Sequence, residues 1–181
     1  MKITAQEEYG LRCLLCLASA GEGGSLTIPE IASREGLSAA HTAKLLATLR
    51  QGGLIESVRG RAGGYRLAIP AQEIRLGTVL RVLGEPLFQE PEYCQRHAGV
   101  ESTGLCVHLG SCSLRALWQT LEDWMRHTLD RITLADLMQS ESDITELLRQ
   151  RLAESVFKPR PALIALGTLK TETDPGTDDE P

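Results

Sequence analysis

Cys94, Cys106 and Cys112 crowd one short segment that also contains His97 and His108. Thiolates are soft ligands, and three of them with one further donor suit zinc or an iron–sulfur cluster. The segment holds three glycines and few large apolar side chains. It cannot order itself by hydrophobic contact, so bound inorganic chemistry is the expected organiser. Two more cysteines, Cys13 and Cys16, lie in the apolar run from Tyr9 to Ala18. These read as small core residues: metal-binding pairs at this spacing usually need a turn to converge, and this run is helical in pattern.

The five cysteines are an odd number, which argues against a disulfide framework. The N-terminus goes directly into charged residues, without the apolar stretch of a secretory signal. No apolar run approaches the roughly 18 residues of a membrane span. The expectation is a cytoplasmic chain with reduced thiols. The net charge of −5 is matched by five acids after Lys170, from Glu172 to Glu180. By contrast, Ser57 to Arg66 carries three arginines and no acid. Opposite charge bias in separate regions leaves room for an anionic partner despite the overall sign.

The elements that must position these residues are legible in turn. Thr4 with Glu7, and Thr27 with Glu30, have the capping-box pattern at the start of two helices. Gly36 ends the second, and Ser38 caps a third that runs to about Gln51. Helix, tight glycine turn and helix make the helix-turn-helix plan. In the third helix Thr42, Leu45, Leu46 and Leu49 share one face. Ala40, His41, Lys44 and Thr48 are left outward, a small polar face of the kind that enters a DNA groove. Two strands, Leu54 to Val58 and Tyr65 to Ile69, flank a basic glycine-rich turn. That hairpin reads as a wing, with Arg59 and Arg61 placed to enter a narrow minor groove.

One or two short helices are expected between Ala71 and Gly84. After Cys112, Leu114, Leu117, Trp118, Leu121, Met125, Leu129 and Ile132 recur at helical steps, with Arg115, Gln119, Glu122 and Arg126 opposite. A small head cannot cover so long an apolar stripe, so pairing with a second copy is expected. A polar break from Gln139 to Asp143 precedes a last helical stretch to about Phe157. The fold class is therefore mainly α: a winged helix-turn-helix with a two-stranded wing and a long C-terminal dimerisation helix. The expected divisions are a DNA-binding domain at 1–84, a cysteine loop at 85–112 and a dimerisation helix at 113–138. A helical extension at 139–170 and an acidic, disordered tail at 171–181 complete the chain.

The first helix, the Ser38-capped helix, Val58 to Tyr65 in the wing, and three cysteines ahead of Ala116 to Trp118 together resemble the Rrf-type winged-helix regulators of the IscR, NsrR and RirA kind. The resemblance covers roughly residues 1–138 and leaves 141–181 outside. It implies a homodimeric DNA-binding transcriptional repressor on a palindromic operator, not an enzyme. It also implies one iron–sulfur cluster per subunit, of two or four irons, on Cys94, Cys106 and Cys112. The five residues between Cys106 and Cys112 match the family spacing, whereas the eleven between Cys94 and Cys106 exceed it. IscR-like members carry a histidine three residues after the last cysteine, where this chain has Arg115, which cannot ligate. NsrR-like members use an early carboxylate from the partner subunit, and Glu8 matches that position. His97 and His108 are rival fourth ligands, and Glu8 also fits a first-turn acid favoured by the helix dipole. In this picture Ser38, Ala40, His41 and Lys44 face the major groove and Arg59 the minor groove. The cluster would report redox state, nitric oxide or iron supply.

Other chemistries remain open at this stage. The same cysteines could form a cluster-free thiol–disulfide sensor or a structural zinc site. Cys–His nucleophilic catalysis is conceivable, but the sequence has no phosphate loop, paired acids or recognisable substrate-pocket motif. The head could also serve as a protein-binding winged helix.

Overall fold

The computed structural model describes residues 3–21, 23–60, 63–86, 88, 92–97, 106, 108 and 111–153. Three helices open the chain: α1 (Ala5–Ala18), α2 (Ile28–Glu35) and α3 (Ala39–Gln51). Their starts are set by local hydrogen bonds. The Thr4 hydroxyl accepts from the Glu7 N–H at 3.2 Å, and the Glu7 carboxylate accepts from the Thr4 N–H at 2.8 Å. Thr27 and Glu30 make the same reciprocal pair ahead of α2, and Ser38 accepts from the His41 N–H at 3.2 Å ahead of α3. Each such cap is worth about 1 kcal/mol. Gly36 turns the chain between α2 and α3 at φ 67°, the left-handed region where a side chain would be strained.

Strands β1 (Ile55–Val58) and β2 (Gly64–Leu67) pair antiparallel, with Ile55 opposite Leu67 and Val58 opposite Gly64. Leu26 clips onto the outer edge through two backbone hydrogen bonds with Tyr65, at 3.0 and 2.8 Å. Gly64 permits that approach, since a Cβ there would lie 2.5 Å from the Leu26 carbonyl oxygen. The hairpin is thereby fixed to the loop before α2.

One core joins these elements. Leu14 and Leu17 of α1, Ile31 of α2, and Leu46 and Leu49 of α3 are essentially inaccessible. Helix α4 (Leu76–Leu83) closes the core with Val79 and Leu83. The Gln6 side-chain amide donates to the Leu83 carbonyl at 2.6 Å, tying the start of α1 to the end of α4.

Beyond α4 come α5 (Glu92–Arg96), the long α6 (Ser113–Leu129), a 3₁₀ turn at Asp136–Met138 and α7 (Glu141–Ala153). The expected apolar stripe continued through Ile132, but α6 stops at Leu129. The chain then folds back onto the head: the Leu76 N–H donates to the Ile132 carbonyl and the Leu134 N–H to the Ile74 carbonyl, both at 2.9 Å. Ile132 and Leu134 are buried and belong to the head. Helix α7 also starts earlier than expected, because the Ser140 hydroxyl accepts from the Asp143 N–H at 3.3 Å inside the segment read as a break.

Candidate nucleic-acid interface and cysteine centre

Helix α3 buries Thr42, Leu45, Leu46 and Leu49 and leaves Ser38, Ala40 and Lys44 exposed. His41 departs from the outward placement expected of it. Its ring meets Tyr9 of α1 edge-on, with centroids 5.7 Å apart, and its Nε2 is buried without a hydrogen-bond partner among the described residues. Tyr9 also lies under the Arg12 guanidinium at 5.5 Å. Arg12 in turn donates to the Glu35 carboxylate at 2.9 Å and to the Glu35 carbonyl at 2.7 Å. That hydrogen bond is the main reason the Arg12 pKa is raised, and Glu8 adds to it from one turn away. Residues of α1 therefore grip both halves of the helix-turn-helix, through Glu35 on one side and His41 on the other. Sequence spacing could not show this, because the three helices meet only in the tertiary fold.

At the wing, Arg59 is exposed at the end of β1. Arg66 is held across the strands by Glu56 at 2.7 Å. Arg61 lies outside the described residues.

The two classes of cysteine separate by environment. Cys13 and Cys16 are buried in the head, and burial pushes the Cys13 thiol up to about 12. A thiol so reluctant to ionise is a poor metal ligand. Cys94, Cys106 and Cys112 are free and partly exposed. Cys94 sits on α5, which is anchored by a run of rings: Phe88 against Tyr93 at 5.1 Å, and Tyr93 against His97 at 4.5 Å. Nδ1 of His97 also lies 2.8 Å from the Tyr93 carbonyl oxygen, so this ring nitrogen has a local partner. Cys112 is the N-cap of α6, and its sulfur accepts from the Arg115 N–H at 3.4 Å. The Arg115 guanidinium reaches the Cys94 sulfur at 4.0 Å. Two of the three thiols thus meet at one arginine.

Among the described residues, no group of three or more Cys, His, Asp or Glu is gathered tightly enough to hold a metal ion. Cys106 and His108 are not brought together with the Cys94–Arg115–Cys112 pair there, and Glu8 is exposed on α1. The donor chemistry nonetheless suits a thiophilic centre: three accessible, unpaired sulfurs, two of them beside a cation.

Helix α6 turns its faces differently from expectation. Leu114, Leu117, Leu121 and Trp124 are 58%, 48%, 37% and 40% exposed, at steps of three and four residues. Trp118 and Met125, expected in that stripe, are only half-exposed. Glu122, expected to face water, is buried and takes a short hydrogen bond of 2.5 Å from Arg126. Among the described residues, no helix is long and apolar enough to cross a membrane.

A helix-turn-helix with an exposed small-polar recognition face and an adjoining two-stranded wing defines a winged-helix DNA-binding protein. The chain belongs to the Rrf2 family, described as iron-dependent transcriptional regulators, whose sequence profile matches residues 3–140. It is 36% identical over 142 residues to the protein named rrf2 of Nitratidesulfovibrio vulgaris, covering 78% of this chain and 90% of that one. It is 31% identical over 141 residues to the HTH-type transcriptional regulator IscR of Escherichia coli, covering 78% of this chain and 82% of the other. Among solved structures it is similar to CymR, the global cysteine regulator of B. subtilis, with 30% identity and a TM-score of 0.59. That alignment covers 76% of this chain and 96% of CymR. The family consists of transcriptional regulators, not enzymes. Helix α7 lies past the matched region.

Proposed function

We propose that this regulator is a homodimeric repressor of a palindromic operator whose grip on DNA is set by an iron–sulfur cluster. Cys94, Cys106 and Cys112 would hold the cluster in one subunit, with the partner subunit's Glu8 as fourth ligand. The observation that carries the reading is the sorting of the thiols. Two are sealed in the head, while three stay accessible beside the dimer helix, and two of those converge on Arg115. When bound, the cluster would supply a redox-active iron centre whose state could report oxidants, nitric oxide or iron supply.

The chain's own residues explain how such a site would reach DNA. Glu8 precedes Tyr9, whose ring lies against His41 in the first turn of α3. Arg12, one turn on, fastens α1 to the end of α2 through Glu35. A pull on α1 therefore moves the helix-turn-helix as a unit. In a dimer, that alters the separation of two recognition helices, which DNA fixes at about one helical turn. A near-complete switch needs the two states to differ by about 5.5 kcal/mol in relative stability. Ser38, Ala40 and Lys44 are assigned to the major groove, with Arg59 and Arg61 to the minor groove; His41, whose ring faces Tyr9, positions α3 instead. Residues 85–112 serve as the cluster loop and α6 as the dimer arm, and residues 1–84 form the DNA head together with the returning segment at Ile132 and Leu134.

A second reading keeps the DNA head and removes the metal, leaving a thiol sensor. The likeness to CymR, described as a global cysteine regulator, favours it. Purification without oxygen, followed by iron and sulfide analysis and operator binding before and after chelation, separates the two. Coloured protein with iron and sulfide whose operator affinity changes on chelation supports the cluster. Colourless protein whose affinity responds to a dithiol oxidant supports the thiol sensor.

A further inference from the structure

We infer that Arg115 is a positioning residue for the cysteine centre: its guanidinium is a fixed cation donating to the Cys94 sulfur, while its backbone N–H donates to the Cys112 sulfur. This rests on the cluster reading above and deepens it. The backbone N–H of Arg115 points at the Cys112 sulfur at 3.4 Å, and its guanidinium lies 4.0 Å from the Cys94 sulfur. The two cysteines belong to different elements, Cys94 to α5 and Cys112 to the N-cap of α6. One half-buried residue therefore meets both ligands, Cys112 through its backbone and Cys94 through its side chain. A guanidinium has only donors and stays protonated, so it cannot bind iron itself. What it can do is donate to ligand sulfur and place a positive charge beside a centre that becomes more negative on reduction. Both effects favour the reduced state, because hydrogen bonds to sulfur and net charge are main determinants of cluster potential.

The test uses the full chain, loaded with cluster without oxygen, as wild type, Arg115→Ala, Arg115→Gln and Arg115→Lys. Iron and sulfide are counted first, and the reduced-to-oxidised ratio is then read optically against applied potential. Wild-type iron content with at least a tenfold lower reduced-to-oxidised ratio at a fixed potential is expected for Arg115→Ala. For a one-electron couple that is a shift of about 59 mV toward negative potential. Arg115→Gln, which keeps an N–H donor and loses the charge, shifts in the same direction, and Arg115→Lys shifts least. If Arg115→Ala fails to take up the cluster, Arg115→Gln carries the test alone. Iron-loaded Arg115→Ala or Arg115→Gln titrating at the wild-type potential overturns the role of Arg115 while leaving the cluster reading intact. Wild-type protein without iron or sulfide overturns both.

Discussion

Removing Leu117 and Leu121 from α6 tests how the exposed stripe is covered. In the single chain these side chains are 48% and 37% exposed. Covering a whole leucine stabilises by about 1.5–3 kcal/mol. Two copies facing each other across this stripe would cover somewhat less than two leucines' worth of surface at these positions. The double replacement Leu117→Ala and Leu121→Ala, which leaves the small alanine methyls, should weaken the dimer by about 2–4 kcal/mol. That corresponds to a dissociation constant roughly 30- to 1,000-fold higher. Alanine is the best helix former, so α6 itself should survive. Sedimentation equilibrium over a wide concentration range gives the constant, and far-ultraviolet circular dichroism checks helix content. Glu146→Ala on exposed α7 is the control and should leave the constant unchanged. A double variant that dimerises within threefold of wild type refutes the assignment of this stripe to the interface. So does wild-type protein that remains monomeric at tens of micromolar.

Cys112→Ser should abolish iron binding with little loss of fold. Cys13→Ser should keep the iron but lower the urea midpoint, since it places a hydroxyl at a fully inaccessible site; the opposite pattern would sink the sorting of the thiols. Lys44→Ala and Arg59→Ala should each weaken operator binding and reduce the slope of log affinity against log salt by about two, one contact being lost in each half-site of the proposed dimer complex. An unchanged slope would remove these residues from the DNA face. Glu30 accepts hydrogen bonds from Thr27, which holds its carboxyl below its ordinary value of 4.5. Its contribution is therefore complete above that value and is lost as pH falls through the lowered one. Urea midpoints of wild type and Glu30→Gln should differ at pH 6 and converge under acid; a gap independent of pH contradicts the capping account.

How far the sequence carried depends on the range of the interaction concerned. Caps at Thr4, Thr27 and Ser38 are local, spanning three residues, and were legible for that reason. The same signal at Ser140 and Asp143 was present but read as a polar break, because the surrounding residues lack an apolar pattern. The turning of α6 was not legible. Periodicity identifies an amphipathic helix but not which part of its stripe a neighbour will cover. Trp118 was drawn partly inward and Leu114, Leu117, Leu121 and Trp124 were left out. Glu122 could be buried because Arg126, one turn on, supplies its hydrogen bond. Ile132 continued the helical period by coincidence, whereas backbone pairing with residues 74–76 placed it in the head.

That return matters for how a sensor in this position could work. Were α6 an arm hinged freely on the cysteine segment, events at the thiols would leave the head undisturbed. Instead α6 is fixed to the head at its C-terminal end and locally capped at its N-terminal end. Its C-terminal exit is stitched to the head by the hydrogen bonds of Ile132 and Leu134. Its N-terminus is capped by Cys112, whose sulfur is also a proposed ligand. One atom would thus have two roles in the proposed mechanism: capping the helix that carries the exposed stripe and binding the centre. A change in what Cys112 binds must act on the first turn of α6 while the last turn stays attached to the core. The displacement then appears as a shift of the stripe relative to the head, which in the proposed dimer would set where two recognition helices meet DNA. Local hydrogen exchange offers a direct check. On chelation, amides in the first turn of α6 should lose protection while those of Ile132 to Ala135 keep theirs. Equal loss at both ends would mean that the arm moves as a free lever.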